Sequence, residues 1–445
     1  MSQEDIFKRH IFLVIGLGFG DEGKGKTVDG VAYGCTTFGI PYQDQVVIRF
    51  NGGQQAGHTV VLEDGKRHVF SQFGAATLRG VPTYWSKYCS IFPNSFLNEY
   101  NALRHLGVAP RIFWDRRCPI TTHYDQLYNR LIETRRGRNR HGSCGLGFGA
   151  TMERHETSPY LLFAQDLETP IFLAHKLKTL RHYYSEKLRR LSDPDLSNLA
   201  AEFENYNHQA ADAHFLEQVA HIQRLVKEGV VGFIDEASFV QKPFEAWIFE
   251  GAQGVLLDRE YGLFPHVTRS HTTSRNVCAL LEEWLKLAPF KIETLGFEYV
   301  TRAYQTRHGA GLLPFEDPNF VEKYQLGQVE NETNQFNEFQ EHFRKAPLSL
   351  QTLRYALRCE SSDNQRLIRR CTPYLKPDSF IYSNLILTCL DQFPNLERLP
   401  LHTDTGLEWV SLDKMEELLL ELFEAEGYQN CKMRTTFSPA HQEPD

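Results

Sequence analysis

The chain lacks several features that would place it in a functional class at once. None of its nine cysteines forms a C-x-x-C pair; they are scattered from Cys35 to Cys431. That argues against a zinc site or a redox dithiol, and an odd number suits a reducing cytosol. No apolar run approaches membrane-spanning length, and the opening MSQEDIFKRH carries no apolar signal segment, so the expected location is cytoplasmic. Positive charge is also short. A net charge of −8 and a pI near 6.2 argue against general nucleic-acid affinity and leave room only for a local basic patch. What remains is a chain of 445 residues, 41% hydrophobic, long enough for two or three domains and rich enough for a sizeable core.

The rest is organised around Gly16 to Thr27, GLGFGDEGKGKT, which follows the apolar run Ile11–Ile15. The run reads as a buried strand. Five glycines at 16, 18, 20, 23 and 25 let the backbone turn tightly and bring N–H groups against an anion. Two stock patterns fit the stretch. Gly18, Gly20 and Gly23 satisfy a dinucleotide fingerprint; Gly20, Gly25, Lys26 and Thr27 satisfy a phosphate loop. Neither explains Asp21 and Glu22 in the middle. A carboxylate beside a phosphate needs a divalent cation between them, or must take a proton from the attacking group. Both point to phosphoryl transfer.

GFGDEGKGK resembles the signature loop of the adenylosuccinate synthetase family. The resemblance implies that a nucleoside monophosphate is phosphorylated on its base oxygen by a nucleoside triphosphate, and that aspartate then displaces the phosphate. It implies Asp21 as the base that takes the purine N1 proton. It also implies a triphosphate and Mg²⁺ on Gly20, Glu22, Gly23, Lys24, Gly25 and Lys26. A second strand, Val46–Phe50, leads into NGGQQAGHT, which resembles the family's GGxNAGHT. By that match His58 offsets charge on the base oxygen or phosphate. Gly57 offers its carbonyl to Mg²⁺ beside Asp21, Thr59 joins the triphosphate set, and Gln55 replaces the family's asparagine at the monophosphate.

Three further matches follow in order. EGAQGVLLD with FPHVT (250–268) resembles EGAQGxLLD and YPYVTSS, implying Gln253 at the purine or its phosphorylated form and Thr268 at the 5′-phosphate. GFEYVTRAYQTRHGAGLLPFE (296–316) resembles VxKAYTTRVGxGPFPTE; Arg307 in its T-R-x-G-x-G core is a candidate for phosphate or carboxylate, and Arg302 replaces a lysine. LTCLD (387–391) resembles a strand end and TKLD, keeping Asp391 for the donor's base but placing Cys389 where the family has lysine. That weakens GTP as donor and makes ATP or dATP plausible.

Elsewhere the chain departs from the family. The basic run 135–141 and the loop 142–149 read either as a solvated loop or as a counterpart of GTTxxGIGP, with Ser143 at the monophosphate. The arginine that this region lends to a neighbouring subunit is replaced by Ser158-Pro159, with Arg154 a possible substitute. The amino-acid loop is replaced by 331–344, where Arg344 is the candidate for the aspartate carboxylate, helped by Asn337 and Gln340. These loops look closer to the shorter archaeal branch and its phage relatives, one of which uses dGMP.

The expected fold is α/β: a single domain over 1–445 around a largely parallel sheet with helices on both faces. A helical elaboration is expected at about 171–229 and a loose tail from about 434. The expected partners are a purine nucleoside monophosphate, GTP or ATP, L-aspartate and a second copy of the chain as a homodimer, with no membrane. Two other readings stay open: a nucleotide-binding regulator without ligation, and a nucleic-acid binder using 135–141.

Overall fold

The computed structural model describes residues 7–191, 198–327, 342–428 and 431–436. Fifteen strands are found among them. They are β1 (Lys8–Gly16), β2 (Gln45–Arg49), β3 (His58–Val61), β4 (Arg67–Phe70), β5 (Thr83–Trp85), β6 (Ile112–Asp115), β7 (Val231–Ile234) and β8 (Ala246–Gly254). There follow β9 (Lys291–Arg302), β10 (Tyr304–Arg307), β11 (Arg344–Ser349), β12 (Leu375–Thr388), β13 (Leu399–Thr403), β14 (Gly406–Val410) and β15 (Lys432–Thr435). Nine of them form one sheet in the order β15-β12-β9-β1-β8-β2-β5-β6-β7, and every neighbouring pair is parallel.

A parallel sheet covered on both faces needs apolar residues at successive positions. The strands supply them, and the period of two divides them between two cores. Leu13, Ile15, Val46, Ile48, Trp247 and Phe249 join one core with helices Arg275–Leu287, Leu350–Cys371 and Leu412–Ala425. Val14, Val47 and Ile248 face the other core, under helices Lys24–Thr37, Pro93–His105, His123–Arg136, Pro170–Arg189 and His208–Lys227. Leu173, Leu177, Leu180 and Tyr184 are the buried stripe of helix Pro170–Arg189.

Several boundaries differ from the sequence reading. The strand that ends at LTCLD, β12, is not the last: three more strands follow it. A four-stranded sheet, β10-β11-β13-β14, was not foreseen, because its strands are four to six residues long. Of the loose tail expected from about 434, the described residues end at 436, and up to Thr435 β15 pairs with β12 from Asn384↔Lys432 to Leu387↔Thr435.

β1 sits between β8 and β9, and the chain leaves it in both directions across the sheet. Ligands of open α/β sheets bind beyond the carboxyl ends of the strands, where the order reverses. The loops after β1, β2, β8 and β12 therefore open on one edge, as does the turn joining β9 to β10.

Candidate active site

The glycine loop after β1 is built inward first. Gly20 (φ 98°), Asp21 (φ 58°) and Gly23 (φ 88°) take left-handed backbone and turn the chain into helix Lys24–Thr37. Glu22 folds beneath them. Its carboxylate accepts the Gly18 N–H and lies 3.0 Å from Lys24 Nζ, with both side chains buried. A Cβ on Gly16 would stand 1.7 Å from Glu22 Oε2, so that glycine makes room for the carboxylate. Glu22 thus braces the loop and neutralises Lys24 rather than presenting a side chain to a triphosphate. Two strand ends grip the loop. Gly18 accepts the Leu256 N–H at 3.0 Å, and Thr388 Oγ1 donates to the Glu22 carbonyl at 2.9 Å. A Cβ on Gly20 would lie 3.5 Å from Gln253 Cα, which brings the Asp21 loop against the end of β8.

His58 opens β3 and packs on the same helix, where a Cβ on Gly25 would come within 2.9 Å of the His58 Cβ. Thr59 follows it in β3, Gly57 before it is exposed, and Lys26 is half-buried in the first turn of the helix. His58 Nδ1 bonds Glu250 Oε1, whose second oxygen accepts the Ala75 N–H at 3.0 Å. Arg49 Nη1 stands 3.9 Å from Glu250, and both side chains are fully buried. Burial lowers the His58 pKa against the pull of Glu250, so the ring is neutral at pH 7. With Nδ1–H donated to the carboxylate, Nε2 carries the lone pair. Burial pushes Glu250 upward, but Arg49 and His58 outweigh it and hold the carboxyl below its ordinary range.

Asn51 ties this loop to β8, donating to the Ala252 carbonyl at 2.9 Å and accepting its N–H at 2.8 Å. Gln253 holds left-handed backbone (φ 62°). Its Oε1 and both amide atoms of Gln55 are buried with no hydrogen-bond partner among the described residues. Buried amides normally find partners; these atoms suit a polar ligand.

Among the described residues of 135–149, most charge and polarity is paired within the protein. Arg135 pairs with Glu202, and Arg136 with Glu133 at 2.7 Å. Glu133 also accepts the N–H groups of His141, Gly142 and Ser143 at 3.1, 3.2 and 3.4 Å. Ser143 Oγ donates to Asn129 at 2.8 Å, so the hydroxyl expected at the monophosphate is committed within the loop. Arg154 is not available to a neighbour. It is wholly buried, bonded to Asp125 at 2.9 Å and to the carbonyls of Tyr160 and Ile120. Asp125 in turn forms the capping box with Thr122 that starts helix His123–Arg136.

Thr268 lies in a segment clamped by carboxylates. Its N–H donates to the Leu257 carbonyl at 2.8 Å. Asp258 accepts the Thr272 N–H at 2.7 Å, Glu360 the Ser274 N–H at 2.9 Å, and Asp363 the Thr273 hydroxyl at 2.7 Å.

On the β10 side, Arg307 is buried and donates to the carbonyls of Leu312 at 2.7 Å and His266 at 2.9 Å. Burial, reinforced by the like charge of Arg344, pulls its pKa down to about 10. Arg344 pairs with Glu316 at 2.7 Å and donates to the carbonyls of Gly309 and Gly311. Both arginines expected at the amino acid therefore hold the turn after β10. Asn337 and Gln340 lie outside the described residues. Asp391 follows Cys389 (φ 62°) at the end of β12. A small pocket lies behind the glycine loop, between Gly18, Glu22, Thr301, Arg302, Thr306 and Leu353.

Glu250, Arg49, Asn51 and Thr388 were missed as site residues. Glu250 and Arg49 gave a signal, charges inside the strands AWIFEGAQG and VVIRF.

The donor set expected for Mg²⁺ is hard oxygen, from the Asp21 carboxylate and the Gly57 carbonyl. No group of three or more His, Cys, Asp or Glu able to hold a metal occurs among the described residues. That composition suits an ion completed by phosphate oxygens.

A family model described as adenylosuccinate synthetase matches residues 13–367. Adenylosuccinate synthetases of Vibrio parahaemolyticus and Aliivibrio fischeri are 30% and 31% identical over 315 residues, covering 70% of this chain. The chain spans 65% of the length of each. Fully ligated adenylosuccinate synthetase from Plasmodium falciparum superposes with a TM-score of 0.69 at 18% identity, over 97% of this chain and 98% of that one. The cyanophage S-2L succinoaminodeoxyadenylate synthetase, bound to dGMP and to dATP as an energy donor, gives 0.53 at 14% identity, over 93% and 99%. Both confirm an α/β fold around a large parallel sheet.

Proposed function

Since the chain belongs to the adenylosuccinate synthetase family, we propose that it is a nucleotide-dependent ligase joining L-aspartate to C6 of a 6-oxopurine nucleoside monophosphate. One observation carries the reading: Asp21, Gln253 and the His58–Glu250–Arg49 group lie on adjoining loops around one glycine turn.

Asp21 takes the N1 proton of the purine, which gathers charge on O6. O6 attacks the γ-phosphorus, the bridging oxygen leaves with the nucleoside diphosphate, and a 6-phosphoryl purine results. The aspartate amine then attacks C6, and the C6–O bond breaks to release phosphate. Once the anionic nucleotide brings a proton to Nε2, His58 donates toward the developing charge; Glu250, bonded at Nδ1, holds the ring and favours its protonated form. Gln253 and Gln55 supply the amides that orient the nucleotide. Lys24, paired with Glu22 in the free protein, is the cation beneath the loop that the phosphates share. Bound Mg²⁺, held by Asp21 and the Gly57 carbonyl, supplies neutralisation of the phosphate oxygens. The aspartate carboxylates fall to the Arg307–Arg344 side. A homodimer in the cytoplasm belongs to the same proposal, and no helix among the described residues is long and apolar enough to cross a membrane.

A second reading keeps the chemistry but takes dGMP. It is favoured by Ser143-Cys144 and Cys389, which depart from the family at the monophosphate and donor loops. The test crosses ATP, dATP and GTP with IMP, dIMP, GMP and dGMP, with Mg²⁺, with and without L-aspartate, and follows products by mass. An aspartate-dependent succinyl nucleotide establishes the ligase and names its purine. Nucleotide binding without turnover would refute it and favour a regulator.

A further inference from the structure

We propose that His308 is a positioning residue for Asp21, holding its carboxylate in the orientation that receives the purine proton; this rests on the ligase reading. His308 is the first x of the T-R-x-G-x-G stretch, a position to which no role falls in that reading. Its Nε2 lies 3.7 Å from Asp21 Oδ2. That is longer than an N–H···O hydrogen bond, and a rotation of either side chain of a few tenths of an ångström closes it.

Asp21 needs such a partner. It sits in left-handed backbone between two left-handed glycines, on a loop whose other acid, Glu22, is turned beneath it. The backbone therefore fixes where its Cα is, while its carboxylate has half-turn freedom about χ2. A base displaced by about 1 Å loses on the order of 100-fold in rate.

His308 is placed to remove that freedom because its own support is rigid. It follows Arg307, whose guanidinium is fastened to the carbonyls of Leu312 and His266. Arg344 Nη2 donates to the carbonyls of Gly309 and Gly311, both at 2.7 Å, and so locks the turn from the other side. A Cβ on Gly142 would stand 3.0 Å from the Ala310 nitrogen, which seats the turn against the 142–149 loop. The imidazole rests on the Phe343 ring, with centroids 4.5 Å apart. Backbone bonds, a neighbouring loop and an aromatic face thus fix the imidazole, and it pairs with Asp21.

The test uses the full chain with Mg²⁺, the triphosphate and purine that give product, and L-aspartate. His308→Val and His308→Ala are expected to lower kcat on the order of 10- to 100-fold while leaving KM for all three substrates within about threefold. His308→Asn and His308→Gln keep an N–H that can reach the carboxylate, and should recover kcat to within about fivefold of the natural chain. Two deletion variants and two amide variants keep the test open if one fails to fold, and melting curves identify which do. Undiminished kcat in the deletion variants would overturn the proposal. So would a raised KM at unchanged kcat, which would place His308 on substrate, or amide variants as slow as the deletions. A natural chain that makes no succinyl nucleotide fails before any variant is compared, and takes the ligase reading down with this one.

Discussion

Replacing Glu360 by Gln should make the protein more stable in alkali and change it little in acid. Glu360 lies on helix Leu350–Cys371 with no exposure to solvent. Burial pushes its carboxyl up to about 8; Asp363 one turn away adds to the rise, while the Ser274 N–H and the Tyr299 hydroxyl oppose it. The folded state therefore holds a proton that the unfolded chain releases near pH 4.5. Below that pH both states are protonated and the group costs nothing. Between 4.5 and about 8 the unfolded state alone ionises, and stability falls as pH rises; above about 8 the penalty is constant. A shift of that size corresponds to about 4–5 kcal/mol at full extent. At roughly 2 cal/mol/K of unfolding entropy per residue, each kcal/mol moves Tm by about 1 °C for a chain of this length. Glutamine keeps an oxygen for the Ser274 N–H and does not titrate. The difference in Tm between Glu360→Gln and the natural chain should then grow by about 4 °C from pH 5 to pH 9, read by scanning calorimetry. A difference that is flat with pH would refute a protonated Glu360. One that shrinks toward alkali would reverse the sign and show the carboxylate to be stabilised in place.

Three other substitutions probe the site from different sides. Arg154→Met leaves Asp125 buried without its cation, and should cost about 3–5 kcal/mol of stability while kcat per folded molecule is unchanged; lost turnover at an unchanged Tm would instead return Arg154 to the active site. Thr388→Val removes the bonds to the Glu22 and Thr301 carbonyls. It should raise KM for the triphosphate about five- to tenfold, a loss of 1–1.5 kcal/mol, with the purine nucleotide's KM held. Glu250→Ala frees the His58 ring and strips Arg49 of its counter-charge. Turnover should fall on the order of 100-fold and Tm should fall with it; normal turnover would show that the buried pair does not orient His58.

Much of the site was legible because it is local. The Ile11–Ile15 run, the glycines after it and the acids among them are contiguous, and each stated its chemistry through residue type. The same holds for Ala56–Thr59 and Glu250–Gly254. What escaped was set by distance along the chain or by direction of a side chain. The Glu250–His58 bond joins residues 192 apart in sequence. Thr388 reaches Glu22 across 366. Nothing in G-D-E-G says that Asp21 stays partly exposed while Glu22 turns under Gly16. That choice is made by the missing Cβ of Gly16 and by Lys24. Side-chain direction also decides the arginines. Arg307 and Arg344 were expected at a carboxylate or phosphate, and Arg154 as a substitute for the arginine lent to a neighbouring subunit, yet a guanidinium has five donors that carbonyls satisfy as well as anions do. All three hold backbone carbonyls in the fold.

The backbone itself marks the same edge of the sheet. Five non-glycine residues among those described take positive φ, and three of them, Asp21, Gln253 and Cys389, stand just beyond β1, at the end of β8 and just beyond β12. Each such residue costs on the order of 1 kcal/mol and persists only where its surroundings over-determine it. The surroundings do so here: Gly20 abuts Gln253, Gly18 accepts the Leu256 N–H, and Thr388 holds the Glu22 carbonyl. The three strained positions are thus held by one another's loops. A ligand that bears on one of them meets a unit rather than a loop. Asp21 is part of that unit, and His308 on the turn after β10 reaches it from across the cleft at 3.7 Å.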